Sequence, residues 1–196
     1  MVERTRKRTF KKKDYLSGDG MLTSVWGPSL WHYLHTMSFN YPVSPTSSDK
    51  IHYRQFINSL KYVLPCKYCR DNLKKNTIIM PLTNDVLKDR NSFSRYIYNL
   101  HEMVNKLLGK KSGLTFCEVR ERYENFRSRC TDDKPKLIDI EKTIRLNKNK
   151  KKTLKKEKGC TEPLYGKKSK CVIKIVPQDE KCKTLQIDQK CLKTRE

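Results

Sequence analysis

Cys66-Lys67-Tyr68-Cys69 places two thiols three residues apart, directly after Pro65. Two cysteines so spaced at a helix start can close a small disulfide ring. The helix N-terminus, Lys67 and Arg70 all favour a thiolate there. A lower thiol pKa speeds thiol–disulfide exchange near neutral pH until nucleophilicity declines. One sulfur can then meet a substrate while the other resolves the mixed disulfide. The same spacing is also half of a zinc site, which needs a second pair of Cys or His. Cys117 and Cys130 fall on one expected helix, about 20 Å apart at 1.5 Å per residue. Both complete one tetrahedron only if that helix breaks. A thioredoxin-type pair would follow a strand in a βαβ setting, and this chain has no such alternation. A helical dithiol protein calls for a bound organic electron acceptor.

Helices must position these residues. From Met21 to Cys130 the apolar residues recur at helical spacing. The pattern predicts one core of roughly 110 residues, enough for a bundle of short helices. A first helix is expected from Thr23 or Ser24, either of which could cap it, with its stable part starting at Pro28. Leu30, Trp31, Leu34, His35 and Met37 form one face, and Pro42 and Pro45 close it. A second helix is expected from about Asp49 to Leu64, where Pro65 interrupts. A short third carries Cys66 to Lys75, and 76–90 reads as a loop with a turn or two of helix. Asn91 or Ser92 could cap a fourth helix holding Phe93, Tyr96, Ile97, Leu100, Val104 and Leu107–Leu108. Gly109 and Lys110-Lys111 suit its C-terminal end. A fifth helix is expected from Thr115 to about Arg129, with Glu118–Arg122 as an i,i+4 ion pair.

The 196 residues carry 44 Lys+Arg against 21 Asp+Glu, for a formal charge of +23. All parts of the chain are basic, so charge marks no single binding face. It favours non-specific contact with nucleic acid or anionic membrane whatever the function. Four segments are expected: a disordered basic arm at 1–20, a folded domain at 21–130, a lysine-rich linker at 131–158 with one helical fragment near 137–146, and a cysteine-containing basic tail at 159–196. In the tail, Cys160, Cys171, Cys182 and Cys191 fall at spacings of 11, 11 and 9. The run 171–177 and the residues after it could form a small hairpin. No window approaches the eighteen apolar residues of a membrane span. The N-terminal basic start has no apolar region behind it, so no secretory signal is expected. A cytosolic chain with eight cysteines points to redox chemistry or metal rather than structural staples.

Four segments of the chain resemble the Erv/ALR family of FAD-linked sulfhydryl oxidases, in the family's order. Trp26-Gly27-Pro28-Ser29-Leu30-Trp31-His32-Tyr33-Leu34-His35 looks like the opening W-x-x-L-H helix. Tyr41-Pro42 resembles the aromatic-proline pair that ends it, and Leu64 to Cys69 resembles the redox segment. Leu100-His101-Glu102-Met103-Val104-Asn105-Lys106-Leu107-Leu108-Gly109-Lys110 looks like the H-N-x-V-N-x-x-L-x-K run. The resemblance covers about 21–129. It implies an all-α fold in which a four-helix bundle cradles FAD beside a short fifth helix, commonly as a homodimer. It implies thiol oxidation in reduced protein substrates, with oxygen as final acceptor and hydrogen peroxide as product. Cys66 would be the outer, exchanging cysteine, and Cys69 the charge-transfer thiolate against the flavin. Trp31 and His35, being i and i+4, would share a face toward the cofactor. His101, Val104, Asn105 and Leu108 would line it from the fourth helix, Lys110 would meet the pyrophosphate, and Tyr41 and Tyr123 would supply nearby aromatics.

The chain departs from the family pattern at three positions. Glu102 stands where the family has Asn, and Pro28 where it often has Arg. Tyr98 replaces a cysteine that in some cellular members bridges to the equivalent of Cys117, so that disulfide is expected to be missing. Compact viral members also have a W-G-P-type opening and lack the bond. By analogy this implies a large cytoplasmic DNA virus, with the protein in host cytoplasm or virion. Members usually carry a shuttle cysteine pair on a flexible arm, for which only the four tail cysteines are candidates. Cys117 is expected to be a buried free thiol. Cys130 is either an intermolecular bridge or a free thiol. Two rivals remain open: a basic zinc- or nucleic-acid-binding module with a structural Cys66–Cys69 pair, and a non-catalytic platform that keeps the fold.

Overall fold

The computed structural model of the chain describes residues 11–129, 160, 162–171, 176 and 188–191. Among the described residues six α-helices follow one another: α1 Lys12–Tyr15, α2 Thr23–Phe39, α3 Ser47–Val63, α4 Lys67–Ile79, α5 Arg90–Leu107 and α6 Phe116–Glu124. Helices α2 to α5 form the bundle, with α2 against α5 and α3 against α4, while the short α6 packs on α2. The expected four-helix bundle with a short extra helix is thus the observed architecture, with a one-turn helix added in the N-terminal arm.

Local chemistry sets the boundaries. Thr46 and Asp49 make a capping box at the start of α3, and Thr115 and Glu118 make another at α6. Asp89, not Asn91 or Ser92, caps α5 by accepting from Ser92 N at 2.7 Å. Pro65 has no N–H to continue α3, and the chain restarts as α4 with Cys66 as its N-cap. That helix runs four residues past the expected Lys75, to Ile79.

Helix α2 starts at Thr23 without a side-chain cap and keeps Pro28 in its interior. A proline normally disfavours helical backbone at the residue before it, because its ring crowds that residue's Cβ. Here that residue is Gly27, buried and without a Cβ, so the helix passes through. Helix α6 ends at Glu124 rather than near Arg129. Its Glu118 is engaged by the Thr115 cap (2.7 Å) rather than by the expected pair with Arg122.

The core is one cluster spanning the four bundle helices, with Tyr41, Ile57, Leu87, Phe93 and Ile97 at its centre. Each such side chain contributes about 1.5–3 kcal/mol by leaving water. A second cluster of Phe39, Phe116 and Val119 seats α6. Tyr98 sends its hydroxyl to Leu114 O at 2.7 Å and packs edge-on against Phe116. It thereby ties α5 to the approach of α6. Cys117 is free, as the Tyr98 substitution implies, but it is exposed rather than buried. One residue after the buried Phe116, it falls on the outer side of α6.

After α6, Arg127 forms a two-point ion pair with Glu124 (2.6 and 2.7 Å) and donates to Phe39 O at 2.7 Å. Strand β1, Ser128–Arg129, then pairs antiparallel with β2, Glu162–Pro163. Leu164 N adds a bond to Arg127 O at 2.7 Å. Part of the basic tail is therefore laid against the end of the domain, and Cys160 there is disulfide-bonded. The expected helical fragment at 137–146, most of the suggested hairpin, Cys130 and Cys182 lie outside the described residues. Among the described residues no helix is long and apolar enough to cross a membrane.

Candidate redox and cofactor site

The break at Pro65 presents the two thiols differently. Cys66, as N-cap, lets its Sγ accept the Cys69 N–H at 3.2 Å, so one of the free amides in the first turn of α4 points at a sulfur. Cys69, one turn on, packs against the main core cluster. Both are half-buried and free thiols here. Burial pushes the Cys66 thiol up. Hydrogen bonds from the Cys69 side chain and amide, the Thr23 hydroxyl and the Tyr68 amide outweigh that and bring it below the usual thiol range. Cys69 is pushed up to about 11, by burial first and then by its bond and charge interaction with Cys66. The dithiol is therefore polarised. Cys66 is the thiol that ionises first, while Cys69 stays protonated against the core.

A second group of residues comes from α2, α5 and α6. Trp31 and His101 lie face to face, with ring centroids 4.1 Å apart and planes 7° from parallel. His35 Nε2 and His101 Nδ1 are 3.0 Å apart, so one proton is shared between two rings. Tyr123 sits 5.2 Å from the His35 ring and hydrogen-bonds His32 Nδ1 at 3.2 Å through its hydroxyl. Burial holds both bonded histidines well below the usual range. His35 falls to about 3, with the neighbouring His101 and His32 adding to the effect, and His101 falls to about 4. Both are neutral at pH 7, so they offer directional hydrogen bonds and flat surfaces rather than charge.

One atom of this group is left without a partner. His35 is 4% exposed, and its Nδ1 is buried with no hydrogen-bond partner. Leaving such an atom unpaired costs on the order of 1–3 kcal/mol. A buried, neutral, aromatic-walled pair with one unsatisfied ring nitrogen fits a flat heteroaromatic ligand bearing hydrogen-bonding nitrogens, as FAD does.

Farther along α5, Val104, Asn105 and Leu108 follow His101 at i+3, i+4 and i+7, on one face. They run from half-buried to exposed. Gly109, at φ +65°, closes the helix with a Schellman pattern: Gly109 N to Lys106 O (3.1 Å) and Lys110 N to Asn105 O (2.8 Å). That turn sets Lys110 just past the helix end. Glu102 does not leave Asn105 unsupported, since its carboxylate accepts Asn105 Nδ2 at 3.0 Å.

Of the residues singled out from the sequence, Trp31, His35, His101 and Tyr123 meet in one cluster. Tyr41 does not join it. It is wholly buried, bonded to Leu87 O at 2.9 Å, and packed against Tyr53 and Phe93. Two residues escaped the sequence reading. His32 is adjacent to Trp31 and three before His35, a spacing that could have placed it beside the cluster. Thr23 reads as a helix cap, and nothing local signals that it helps to lower both thiols.

The Erv1 / Alr family model matches residues 28–124 of this chain. A probable FAD-linked sulfhydryl oxidase of Acanthamoeba polyphaga mimivirus is 39% identical over 104 residues, covering 53% of this chain and 72% of that protein. The chain belongs to the Erv1/Alr family. An FAD-linked sulfhydryl oxidase of African swine fever virus is 30% identical over 99 residues, covering 50% of this chain and 80% of its own length. A putative FAD-linked sulfhydryl oxidase of Invertebrate iridescent virus 6 is 29% identical over 93 residues, covering 44% and 81%. Membership with viral relatives agrees with the resemblance carried by the W-G-P opening and the redox segment. The half of the chain outside these matches includes the basic tail.

Proposed function

We propose that this Erv1/Alr member is an FAD-dependent thiol oxidase that makes disulfide bonds in protein substrates and passes the electrons to oxygen, giving hydrogen peroxide. The observation that carries the reading is the polarised dithiol: Cys66 capping α4 with its sulfur, and Cys69 packed on the bundle core.

In the oxidised pair, a substrate thiolate attacks Cys66 Sγ. A substrate–Cys66 bond forms, the Cys66–Cys69 bond breaks, and Cys69 leaves with the electron pair as a thiolate. A second substrate thiolate then attacks the substrate sulfur of the mixed disulfide and releases Cys66. The substrate departs with a new disulfide, and its two electrons remain on the Cys66–Cys69 dithiol. Bound FAD supplies the two-electron acceptor for that dithiol and the onward route to oxygen. Trp31, His35, His101 and Tyr123 would hold its rings, with Val104, Asn105 and Leu108 along α5 and Lys110 toward the pyrophosphate. Tyr41 would support this wall from within the core. The neutral His35–His101 pair orients the ring system and keeps water from it.

A homodimer, and non-specific contact of the lysine-rich segments with nucleic acid, belong to the same reading. So does residence in host cytoplasm or virion, by analogy with the viral relatives. The zinc alternative has no supporting observation, since among the described residues no three His, Cys, Asp or Glu are grouped to hold a metal ion.

Oxygen consumption by the full-length, flavin-loaded chain with a small dithiol tests the proposal. Turnover is expected in the wild type and should be abolished in Cys69→Ser. Turnover retained in that variant would refute the mechanism.

A further inference from the structure

Around Cys66 the chain exposes apolar side chains from three segments. Tyr62 and Val63 end α3 just before Pro65, and Tyr68 stands in the first turn of α4 just after it. Met21 is brought to the same loop by its N–H, which donates to Pro65 O at 2.8 Å. Its neighbour Gly20 lies so close that an added Cβ would sit 2.7 Å from Pro65 O and 3.4 Å from Cys66 Cα. Each of the four apolar side chains is at least 67% exposed. The bundle core uses none of them, because Leu60, Leu64 and Leu73 fill the buried positions around the α3–α4 break. Single exposed apolar residues are ordinary, but several gathered round one reactive atom mark an interaction surface.

The same surface is positive. Residues 61–75 hold five cations against one acid, Asp71. Lys67 and Lys74 are exposed. Lys74 Nζ lies 5.3 Å from the centre of the Tyr62 ring and joins the outer side of α4 to the end of α3. Asp71 meets Lys74 at 3.9 Å and offsets only one of the charges. Charge alone locates no face on a chain that is basic throughout. The exposed aromatics beside Cys66 locate this one, and charge sets the sign of what it takes.

We propose that the collar of Met21, Tyr62, Val63 and Tyr68, rimmed by Lys67 and Lys74, is the substrate-docking surface, and that it fits an unfolded segment of another protein whose cysteines are flanked by acidic and apolar residues. This deepens the oxidase reading and rests on it for the chemistry at Cys66. A protein that still lacks its disulfides exposes apolar residues near its thiols, and the collar can take these out of water. Carboxylates beside them meet the lysines, which steers encounter and selects the partner by sign. This chain's own basic tail, or a second copy at +23, carries the wrong sign for this face. A segment seated here brings its thiolate to Cys66 Sγ, and the exchange then runs as described above.

The test uses the full-length, flavin-loaded protein and two reduced synthetic peptides. Each holds Cys-Ala-Ala-Cys between leucines, one flanked further by glutamates and the other by lysines. Oxygen consumption is taken relative to that with dithiothreitol in the same protein. At low salt, kcat/KM for the glutamate peptide should exceed that for the lysine peptide roughly tenfold, and the gap should narrow as salt rises. Lys74→Glu should shrink the gap roughly threefold. Tyr62→Ser should lower kcat/KM on the glutamate peptide roughly threefold, through KM rather than kcat. Equal rates on the two peptides, or a preference for the lysine peptide, overturns the proposal. So does a preference that neither substitution changes. A wild type that oxidises no dithiothreitol would defeat the oxidase reading instead. Fluorescence anisotropy with labelled peptides, serine replacing cysteine, would then still decide the surface. Tighter binding of the glutamate peptide, weakened in Tyr62→Ser, is expected there, and indifference to charge overturns it.

Discussion

His35 and His101 are held 3.0 Å apart with one proton between them, and the buried, unpaired Nδ1 of His35 is the atom a ligand would satisfy. Removing either wall of the stack should therefore cost ligand rather than fold. Trp31→Ala and His101→Ala are each expected to lose most bound flavin in spectra of the purified proteins, while far-UV circular dichroism stays helical. The same burial makes a pH prediction. Burial holds His35 at about 3 in the folded chain, against 6.5 for an unperturbed histidine. A folded pKa below the unfolded one means that the unfolded chain takes the proton first. Stability from this residue is complete above pH 6.5 and is lost as pH falls toward about 3. The slope approaches 1.4 kcal/mol per pH unit in that window. Urea midpoints measured between pH 7 and 5 should fall for the wild type. They should fall less for His35→Phe, which has nothing to protonate.

The elements that carry these side chains follow from their sequence signals to differing degrees. Thr46–Asp49 and Thr115–Glu118 are capping boxes visible as spacing, and the apolar stripe of α5 is plain from Phe93 to Leu100. Pro65 marks the break that turns Cys66 into an N-cap. Other boundaries depend on what surrounds them. The passage of α2 through Pro28 is eased because the preceding residue, Gly27, has no Cβ. The early end of α6 at Glu124 reflects Arg127, which leaves the helical path to clamp Glu124 and Phe39 O. At the site, the i,i+4 spacing of Trp31 and His35 was legible, as was the His101 face. The position of Gly20 and Met21 against Pro65 was not, because it depends on how the chain before α2 lies across the α3–α4 break. Tyr98 gives an element-level test. Its bond to Leu114 O ties α5 to the approach of α6. Tyr98→Phe should lower unfolding free energy by about 1 kcal/mol, measured by denaturant titration, with thiol oxidation little changed. A loss no greater than experimental scatter would mean that this tie contributes nothing.

At the scale of the whole molecule, a compact helical domain carries basic segments on both sides, and part of the C-terminal one pairs with β1. The overall charge of +23 was legible as composition, but composition could not tell that residues 162–164 would dock beside Arg127. A two-residue strand has too little pattern to be read. The proposed function would unify the molecule as a single electron path, from Cys66 through Cys69 to a flat ligand beside α2, α5 and α6. The visible absorption spectrum of the purified, folded, full-length protein tests that claim most directly. A yellow protein with about one tightly held FAD per chain is the expected result. A colourless preparation that takes up no added FAD would contradict the account.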